Sequence, residues 1–281
     1  MNGVLAGYEE AGGIDFRECG AFVGTSAGSI VATALAGGVS PAARLGRLPE
    51  QPAVTAAGEP GLPQRALSAA AWLAGAVAAP AASLALRSSA AGGALLRRTA
   101  LARVPIGRRS LAGLGGMVDD LGVGWDGRLR VAAVELESGR RVMFGAPGSP
   151  DVRVADAVLA SCAIPGVFRP LRAGGRSYVD GGAWSPTNMD AAAAGRGDRV
   201  LCLNPTGSLR AQVGDLAGAL GVVSRGIAGA EALALRRRGA RVTTVSPDRA
   251  SAEAMGTNLM DPGPRAAVTA AAVAQGRRLA A

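Results

Sequence analysis

The composition of the chain limits the chemistry that it can perform. It has 281 residues, 49% of them hydrophobic, a formal net charge of +9 and no histidine. All 30 of its basic residues are arginines. This length and hydrophobic content are sufficient for a globular domain with its own core. The absence of histidine excludes a Ser-His-Asp triad, and the absence of lysine excludes a Walker A phosphate-binding loop.

The predicted elements alternate between helices and strands along the chain. The predicted helices cover residues 4–11, 29–36, 212–238 and 264–279. The predicted strands cover residues 21–23, 129–135, 141–144, 176–179, 200–203 and 242–245, the second and third of them as a hairpin. This order predicts a single α/β domain in which helices cover both faces of a mostly parallel sheet.

The first motif lies where the strand at 21–23 meets the helix at 29–36, and it reads Gly24-Thr25-Ser26-Ala27-Gly28. G-x-S-x-G between a strand and a helix is typical of a nucleophile elbow, in which glycines relieve crowding around an exposed serine. Serine needs a base to become a nucleophile, and without histidine that base must be a carboxylate. In a chain so rich in glycine, serine and alanine, a chance match is the alternative.

A second motif supplies such a carboxylate. Asp180-Gly181-Gly182 follows the strand at 176–179, and its glycines permit a close backbone approach. The alternative is an Asp-Gly turn that joins two strands. Between the two motifs, residues 155–170 predict a short helix broken at Pro165. Cys162 lies in this stretch, but with no histidine or lysine to lower its pKa it is not expected to be the nucleophile.

Together these motifs resemble those of the patatin-like phospholipase family. The matching features are the Gly-Thr-Ser-Ala-Gly elbow, the pattern A-x-x-A-I-P-x-x-F-x-P over residues 160–170 and the later Asp-Gly-Gly, in the order of that family. The resemblance implies a three-layer α/β/α fold and lipid acyl hydrolysis, with no metal and no cofactor. The roles that it implies are a catalytic dyad of Ser26 and Asp180, an elbow and oxyanion donor at Gly24, Ala27 and Gly28, and support of the aspartate by Gly181 and Gly182.

The resulting functional prediction is a serine acyl hydrolase of the phospholipase A or lysophospholipase type. It would cleave acyl esters of phospholipids or related lipids through an acyl-serine intermediate. A catalytically impaired relative that binds lipid or a protein partner is the alternative. Because an ordinary aspartate has a pKa of about 3.9, we expect no fall in activity between about pH 7 and 6.

The resemblance also predicts that the natural chain extends upstream of Met1. In that family a glycine-rich oxyanion loop precedes the first helix, whereas here residues 4–11 already read as that helix. We therefore expect residues 1–281 to be an N-terminally truncated single domain that is at most weakly active and poorly stable.

One stretch of the chain holds most of its positive charge. Residues 60–118 contain no acidic residue and seven arginines, which are Arg65, Arg87, Arg97, Arg98, Arg103, Arg108 and Arg109. Within it, residues 66–86 are uncharged and long enough to span a bilayer, but Gly75, Pro80 and many alanines weaken insertion. A membrane helix, a buried helix and an interfacial lid remain open. We expect residues 41–118 to form a helical, basic insertion or lid that rests on an anionic membrane surface.

The remaining features concern location and partners. Cys19, Cys162 and Cys202 show neither metal-ligand spacing nor an even number, so free thiols in a reducing cytoplasm are expected. No secretion signal is visible. With an aromatic content of 3% there is little to stack on bases, so nucleic acid is not an expected partner. The predicted location is the cytoplasm, peripherally on the inner face of the membrane, and the oligomeric state is left open.

Overall fold

The computed structural model describes residues 1–46, 90–208, 216–256 and 263–281. Its helices are α1 (Asn2–Gly12), α2 (Ala27–Ala36), α3 (Ala43–Gly46), α4 (Ala90–Ala102), α5 (Ala112–Asp119), α6 (Val154–Cys162), α7 (Leu216–Arg237), α8 (Arg249–Met255) and α9 (Arg265–Ala280). Its strands are β1 (Phe22–Gly24), β2 (Leu129–Glu135), β3 (Arg141–Phe144), β4 (Leu171–Ala173), β5 (Arg176–Asp180), β6 (Arg199–Leu203) and β7 (Arg241–Val245).

The α/β class predicted from the sequence is confirmed, and the sheet is mixed. Among the described strands, β1–β2 and β6–β7 pair in parallel, whereas β2–β3, β2–β5 and β4–β5 pair antiparallel. Two of the antiparallel pairs, β2–β3 and β4–β5, come from short connections. The β4–β5 turn consists of Gly174 and Gly175, whose φ angles of 56° and 75° are those of a two-residue hairpin turn. The sequence analysis did not predict β4.

The pairing register places the ends of β1 and β5 beside each other. Val131 of β2 pairs with both Gly24 and Phe144, and Ala133 pairs with both Val142 and Asp180. Strand β3 therefore occupies one edge of β2, while β1 and β5 follow each other along the opposite edge. Because β1 runs parallel to β2 and β5 runs against it, their carboxyl ends converge near Val131 and Ala133.

The main core lies between this sheet and three helices. Buried residues of β2 on one face, including Leu129 and Val131, pack with apolar side chains of α2, α5 and α6. Each such aliphatic side chain contributes about 1.5–3 kcal/mol when fully buried. The core therefore fixes the two elements that flank the serine motif, β1 and α2, against the centre of the sheet.

The β6–β7 pair has a core of its own. Strand residues Cys202 and Val242 pack with Ala228, Ala232 and Leu235 of α7, and Met189 joins the same cluster. Met189 lies in the segment that leads away from Asp180, so this second core anchors that segment as well. Helices α1 and α9 cross closely beside it, since a Cβ at Gly7 would lie 2.1 Å from the carbonyl oxygen of Val273.

The basic insertion is described in part. Helices α3 and α4 and most of α5 lie within residues 41–118, while the uncharged run at 66–86 lies outside the described residues. No helix in the described ranges is long and apolar enough to cross a membrane.

Candidate active site

The serine motif forms a sharp turn between β1 and α2. Ser26 has φ 51° and ψ −127°, a conformation that costs a non-glycine residue free energy. Its backbone N–H donates a 2.8 Å hydrogen bond to Ser161 Oγ of α6. Gly24 allows the turn to close, because a Cβ at Gly24 would lie 2.4 Å from the Cα atom of Ser29. The local fold is therefore the elbow expected from the sequence.

The first turn of α2 leaves one backbone donor open. The N–H groups of Gly28 and Ser29 donate to the carbonyl oxygens of Thr25 and Ser26, each at 2.8 Å. Within the described residues, no hydrogen bond is formed by the N–H of Ala27, and Ala27 is exposed. An unpaired N–H at a helix N-terminus can stabilise negative charge that develops next to it.

Asp180 ends β5 and is buried. Its Oδ1 accepts a 2.7 Å hydrogen bond from the N–H of Gly182, and the side chain of Ser26 lies near enough to lower its pKa slightly. Gly181 permits the strand to leave the sheet, since a Cβ there would lie 2.5 Å from the carbonyl oxygen of Ala132. Asp180 opens the single 3₁₀ turn Gly181–Ala183 and does not join two strands, so the hairpin-turn alternative is wrong.

The environment of Asp180 changes its acidity. Burial raises the pKa of its carboxyl group to about 6, and the hydrogen bond from Gly182 N–H and then the nearby Ser26 side chain act in the opposite direction. The expectation of an ordinary aspartate pKa is therefore wrong. Removal of the carboxylate from water outweighs these two effects, which favour its ionised form.

Cys162 lies next to these groups but is not set up as a nucleophile. Its Sγ is 3.9 Å from the Ser29 hydroxyl. Burial, and then the negative charge of Asp180, raise the pKa of the Cys162 thiol to about 12. The thiol therefore stays protonated at neutral pH, as the sequence analysis expected from the absence of histidine and lysine.

Three polar residues around the site were not identified from the sequence. Ser161 lies inside the A-x-x-A-I-P pattern, so the sequence places it between the two motifs. Nothing in that pattern indicates that its hydroxyl accepts a hydrogen bond from Ser26 N–H. Asn188 and Glu231 are buried beside the segment after Asp180. Neither residue belongs to a recognisable sequence motif. Their proximity to the site depends on how α7 packs, which the sequence pattern does not indicate.

A groove of about 560 Å³ lies between α4 and the β2–β3 turn. Charged side chains dominate its lining, among them Arg98, Glu135, Glu137, Arg140 and Arg176. Neither Ser26 nor Asp180 lines it, and two of its charges pair with each other, Arg176 with Glu135. We assign the groove no role in the chemistry.

Comparison with known proteins agrees with this geometry. The family model of the patatin-like phospholipases matches residues 3–193, which is more than half of the chain and includes both motifs. No curated protein sequence matches the chain. The fold and the matched region place the chain in a class of α/β proteins that are typically lipid acyl hydrolases. The chain belongs to the patatin-like phospholipase family.

Proposed function

We propose that this protein hydrolyses acyl esters of phospholipids or related lipids through a Ser26–Asp180 dyad. The observation that carries the proposal is that the carboxyl ends of β1 and β5 converge on one edge of β2, which places the turn at Ser26 beside the buried carboxyl group of Asp180. Ser26 stands on a strained turn at the start of a helix, which is where acyl hydrolases place their nucleophile. Family membership supports lipid as the substrate class.

The proposed reaction has two halves. The Ser26 oxygen attacks the ester carbonyl carbon while its proton passes to Asp180, and the N–H of Ala27 binds the oxyanion of the tetrahedral intermediate. Collapse of that intermediate breaks the ester bond and leaves an acyl-serine, and the proton on Asp180 passes to the departing alcohol. Water then attacks the acyl-serine and gives a proton to Asp180. When the second tetrahedral intermediate collapses, Asp180 returns that proton to the departing Ser26 oxygen, which releases the fatty acid and restores the free Ser26 hydroxyl and the Asp180 carboxylate.

The dyad is tested by substitution and by active-site labelling. Ser26→Ala and Asp180→Asn should each lower kcat for a short-chain aryl ester by at least about 10³-fold, because each removes a group that bonds to the reacting atoms. A fluorophosphonate probe should label the parent protein and not Ser26→Ala. Ser149→Ala is a matched control, since Ser149 lies in the turn after β3 and forms no side-chain hydrogen bond within the described chain.

The outcomes separate the dyad from the alternatives. Retention of more than a tenth of kcat by either variant would remove that residue from the mechanism. A folded parent protein that neither hydrolyses esters nor reacts with the probe, but still binds lipid, would support the catalytically impaired relative. Fatty acid release from diacyl and monoacyl phospholipids, measured side by side, distinguishes phospholipase A from lysophospholipase activity.

We also propose that the protein works at an anionic membrane surface. Three apolar side chains, Leu95, Leu96 and Ile106, are exposed on and just after α4. Exposed arginines at 98, 103 and 108 accompany them. Apolar side chains flanked by arginines match the chemistry of an anionic bilayer surface. The proposed cytoplasmic location rests on a different feature, the three cysteines, which form no disulfide framework.

A further inference from the structure

Two non-glycine residues in the described part of the chain have a positive φ angle. One is Ser26, and the other is Asn188, with φ 47° and ψ 27°. Asparagine tolerates this left-handed conformation better than most residues. Backbone strain of this kind persists where the surroundings enforce it, often at functional sites. Asn188 is also fully buried, with a relative exposure of 0%.

The side-chain amide of Asn188 connects the two segments that carry the dyad. Its Nδ2 donates to Thr25 Oγ1 at 3.0 Å, on the residue before Ser26. The same nitrogen donates to the carbonyl oxygen of Gly181 at 3.3 Å, on the residue after Asp180. A third bond, to the carbonyl oxygen of Ser185 at 2.6 Å, closes the loop on itself. One amide group therefore joins the serine elbow to the aspartate turn.

The orientation of this amide is fixed by a cation. Asn188 Oδ1 lies 3.2 Å from an Arg141 guanidinium nitrogen, which can only donate. Arg141 is itself held by two hydrogen bonds to the carboxylate of Asp190, at 2.6 and 3.0 Å. With Oδ1 committed to Arg141, the NH₂ group must face the oxygens of Thr25, Gly181 and Ser185.

Helix α7 holds the backbone on both sides of Asn188. The Glu231 carboxyl group accepts hydrogen bonds from the Thr187 hydroxyl and, at 2.9 Å, from the N–H of Met189. Burial raises the pKa of Glu231 to about 7, with the charge of Asp190 adding to the effect. The two hydrogen bonds to Glu231 hold the residues on both sides of Asn188 in place, and with them the strained backbone at Asn188. The side-chain amide of Asn188 is therefore kept next to the elbow.

We propose that Asn188 is a positioning residue that sets the distance between the Ser26 hydroxyl and the Asp180 carboxylate. The inference rests on the proposed dyad. Asn188 does not touch the reacting atoms. It acts through Thr25 and Gly181, whose neighbours in sequence carry the nucleophile and the base. A displacement of about 1 Å between reacting groups can lower a rate about 10²-fold, so loss of this tether should lower kcat and leave KM unchanged.

The test removes the tether from each end. Thr25→Val deletes the hydroxyl that accepts from Asn188 and keeps the shape of the side chain, whereas Thr25→Ser keeps the hydroxyl. Asn188→Gly deletes the amide and relieves the positive φ. We expect Thr25→Val and Asn188→Gly each to lower kcat for a soluble aryl ester by about 10–10²-fold. Thr25→Ser should recover most of the loss seen in Thr25→Val.

Controls separate positioning from folding. Each kcat is divided by the fraction of protein that a fluorophosphonate probe titrates, so unfolded protein does not count. Thr243→Val makes the same chemical change at an exposed position of β7 and should leave kcat unchanged. In the double variant the two effects should be less than additive in free energy, because both substitutions break the same hydrogen bond.

Several results would overturn the inference. These are equal losses in Thr25→Val and Thr25→Ser, a kcat within twofold of the parent in Thr25→Val, or fully additive effects in the double variant. If Asn188→Gly does not fold, the two Thr25 variants decide the question alone. Failure of the proposed function is distinct, because it would show as an active Ser26→Ala variant whatever the Thr25 variants do.

Discussion

At the scale of single residues, the candidate site concentrates features that cost folding free energy. Ser26 and Asn188 have unfavourable backbone angles, and Asp180 carries a carboxyl group that burial makes hard to ionise. A rise in pKa from 3.8 to about 6 makes the ionised form about 3 kcal/mol less favourable than in water. A carboxyl group must be ionised before it can accept a proton as a base. The free-energy cost of ionising a buried Asp180 is therefore consistent with a catalytic role for this residue.

The raised pKa of Asp180 leads to a specific pH dependence. Since the proposed mechanism requires the ionised carboxylate, kcat for a soluble ester should fall as the pH drops through about 6. At pH 5 the ionised fraction, and with it kcat, should be about tenfold lower than at pH 8. The measurement is a kcat profile from pH 5 to 9 on protein shown to remain folded throughout. A flat profile down to pH 5 would contradict the buried base.

The stability of Asp180→Asn is the control for this argument. A carboxyl group with a raised folded-state pKa binds more protons when folded, so it lowers stability as the pH rises through 3.8 to about 6. Asparagine can still accept from Gly182 N–H and carries no charge. The variant should therefore melt at a higher temperature than the parent at pH 8, and this advantage should shrink towards pH 4. An equal advantage at both pH values would indicate that it has another cause.

At the scale of elements, the sheet brings the two catalytic candidates together. Strands β1 and β5 meet on one edge of β2, so Ser26 and Asp180 follow strand ends that face each other. The sequence predicted these strand ends because short runs that end in valine are followed by Gly24 in one place and by Asp180-Gly181-Gly182 in the other. It did not predict the pairing, because the edge that a strand occupies depends on contacts between residues far apart in the chain.

The dependence on contacts between distant residues also explains why some elements and site residues were not predicted from the sequence. Helix and strand positions were predicted where periodicity is strong, as in β2, whose predicted bounds agree with the structure. Strand β4 was missed because Leu171–Ala173 is too short to show a pattern. Asn188 and Glu231 were missed because their burial depends on the packing of α7, which carries Glu231 and begins more than 25 residues after Asn188. A sequence pattern carries no signal for such packing.

The two outer glycines of the serine motif should respond differently to substitution. A Cβ at Gly24 would meet backbone of α2 at 2.4 Å, whereas a Cβ at Gly28 would have open space. Gly24→Ala should therefore lower the free energy of unfolding by about 1–3 kcal/mol or more. Gly28→Ala should be neutral or stabilising, since alanine favours a helix more than glycine does.

Thermal melting of both variants measures this difference. The substitution is chemically identical in the two cases and the positions are four residues apart, so each variant is the control for the other. Equal loss of stability would show that the close approach of β1 to α2 does not govern the elbow. A stable Gly24→Ala protein would mean that α2 can shift without cost.

At the scale of the whole molecule, positive charge is grouped in the part of the chain that follows the elbow. Arg97 does not contribute to a free surface, which corrects the expectation that all of these arginines attract lipid. It is 9% exposed, donates to the carbonyl oxygens of Ala183 and Gly139, and stacks at 4.0 Å on the ring of Trp184. Arg97 thus ties α4, which also carries the exposed Arg98, to the turn after Asp180.

The surface charge gives a prediction for membrane binding. Replacement of Arg98, Arg103 and Arg108 by glutamine should weaken binding to vesicles that contain anionic phospholipid, because each exposed arginine contributes about 1 kcal/mol near such a surface. The combined loss of about 3 kcal/mol corresponds to about 10²-fold in affinity. Co-sedimentation at increasing salt measures the effect, and parent binding should weaken as salt screens the charges.

A triple variant of the exposed residues Arg172, Arg237 and Arg265 removes the same charge elsewhere and should bind nearly as well as the parent. Equal loss in both triple variants would mean that net charge alone drives binding. Parent binding that ignores lipid charge and salt would leave apolar contact, through residues such as Leu95 and Ile106, as the cause.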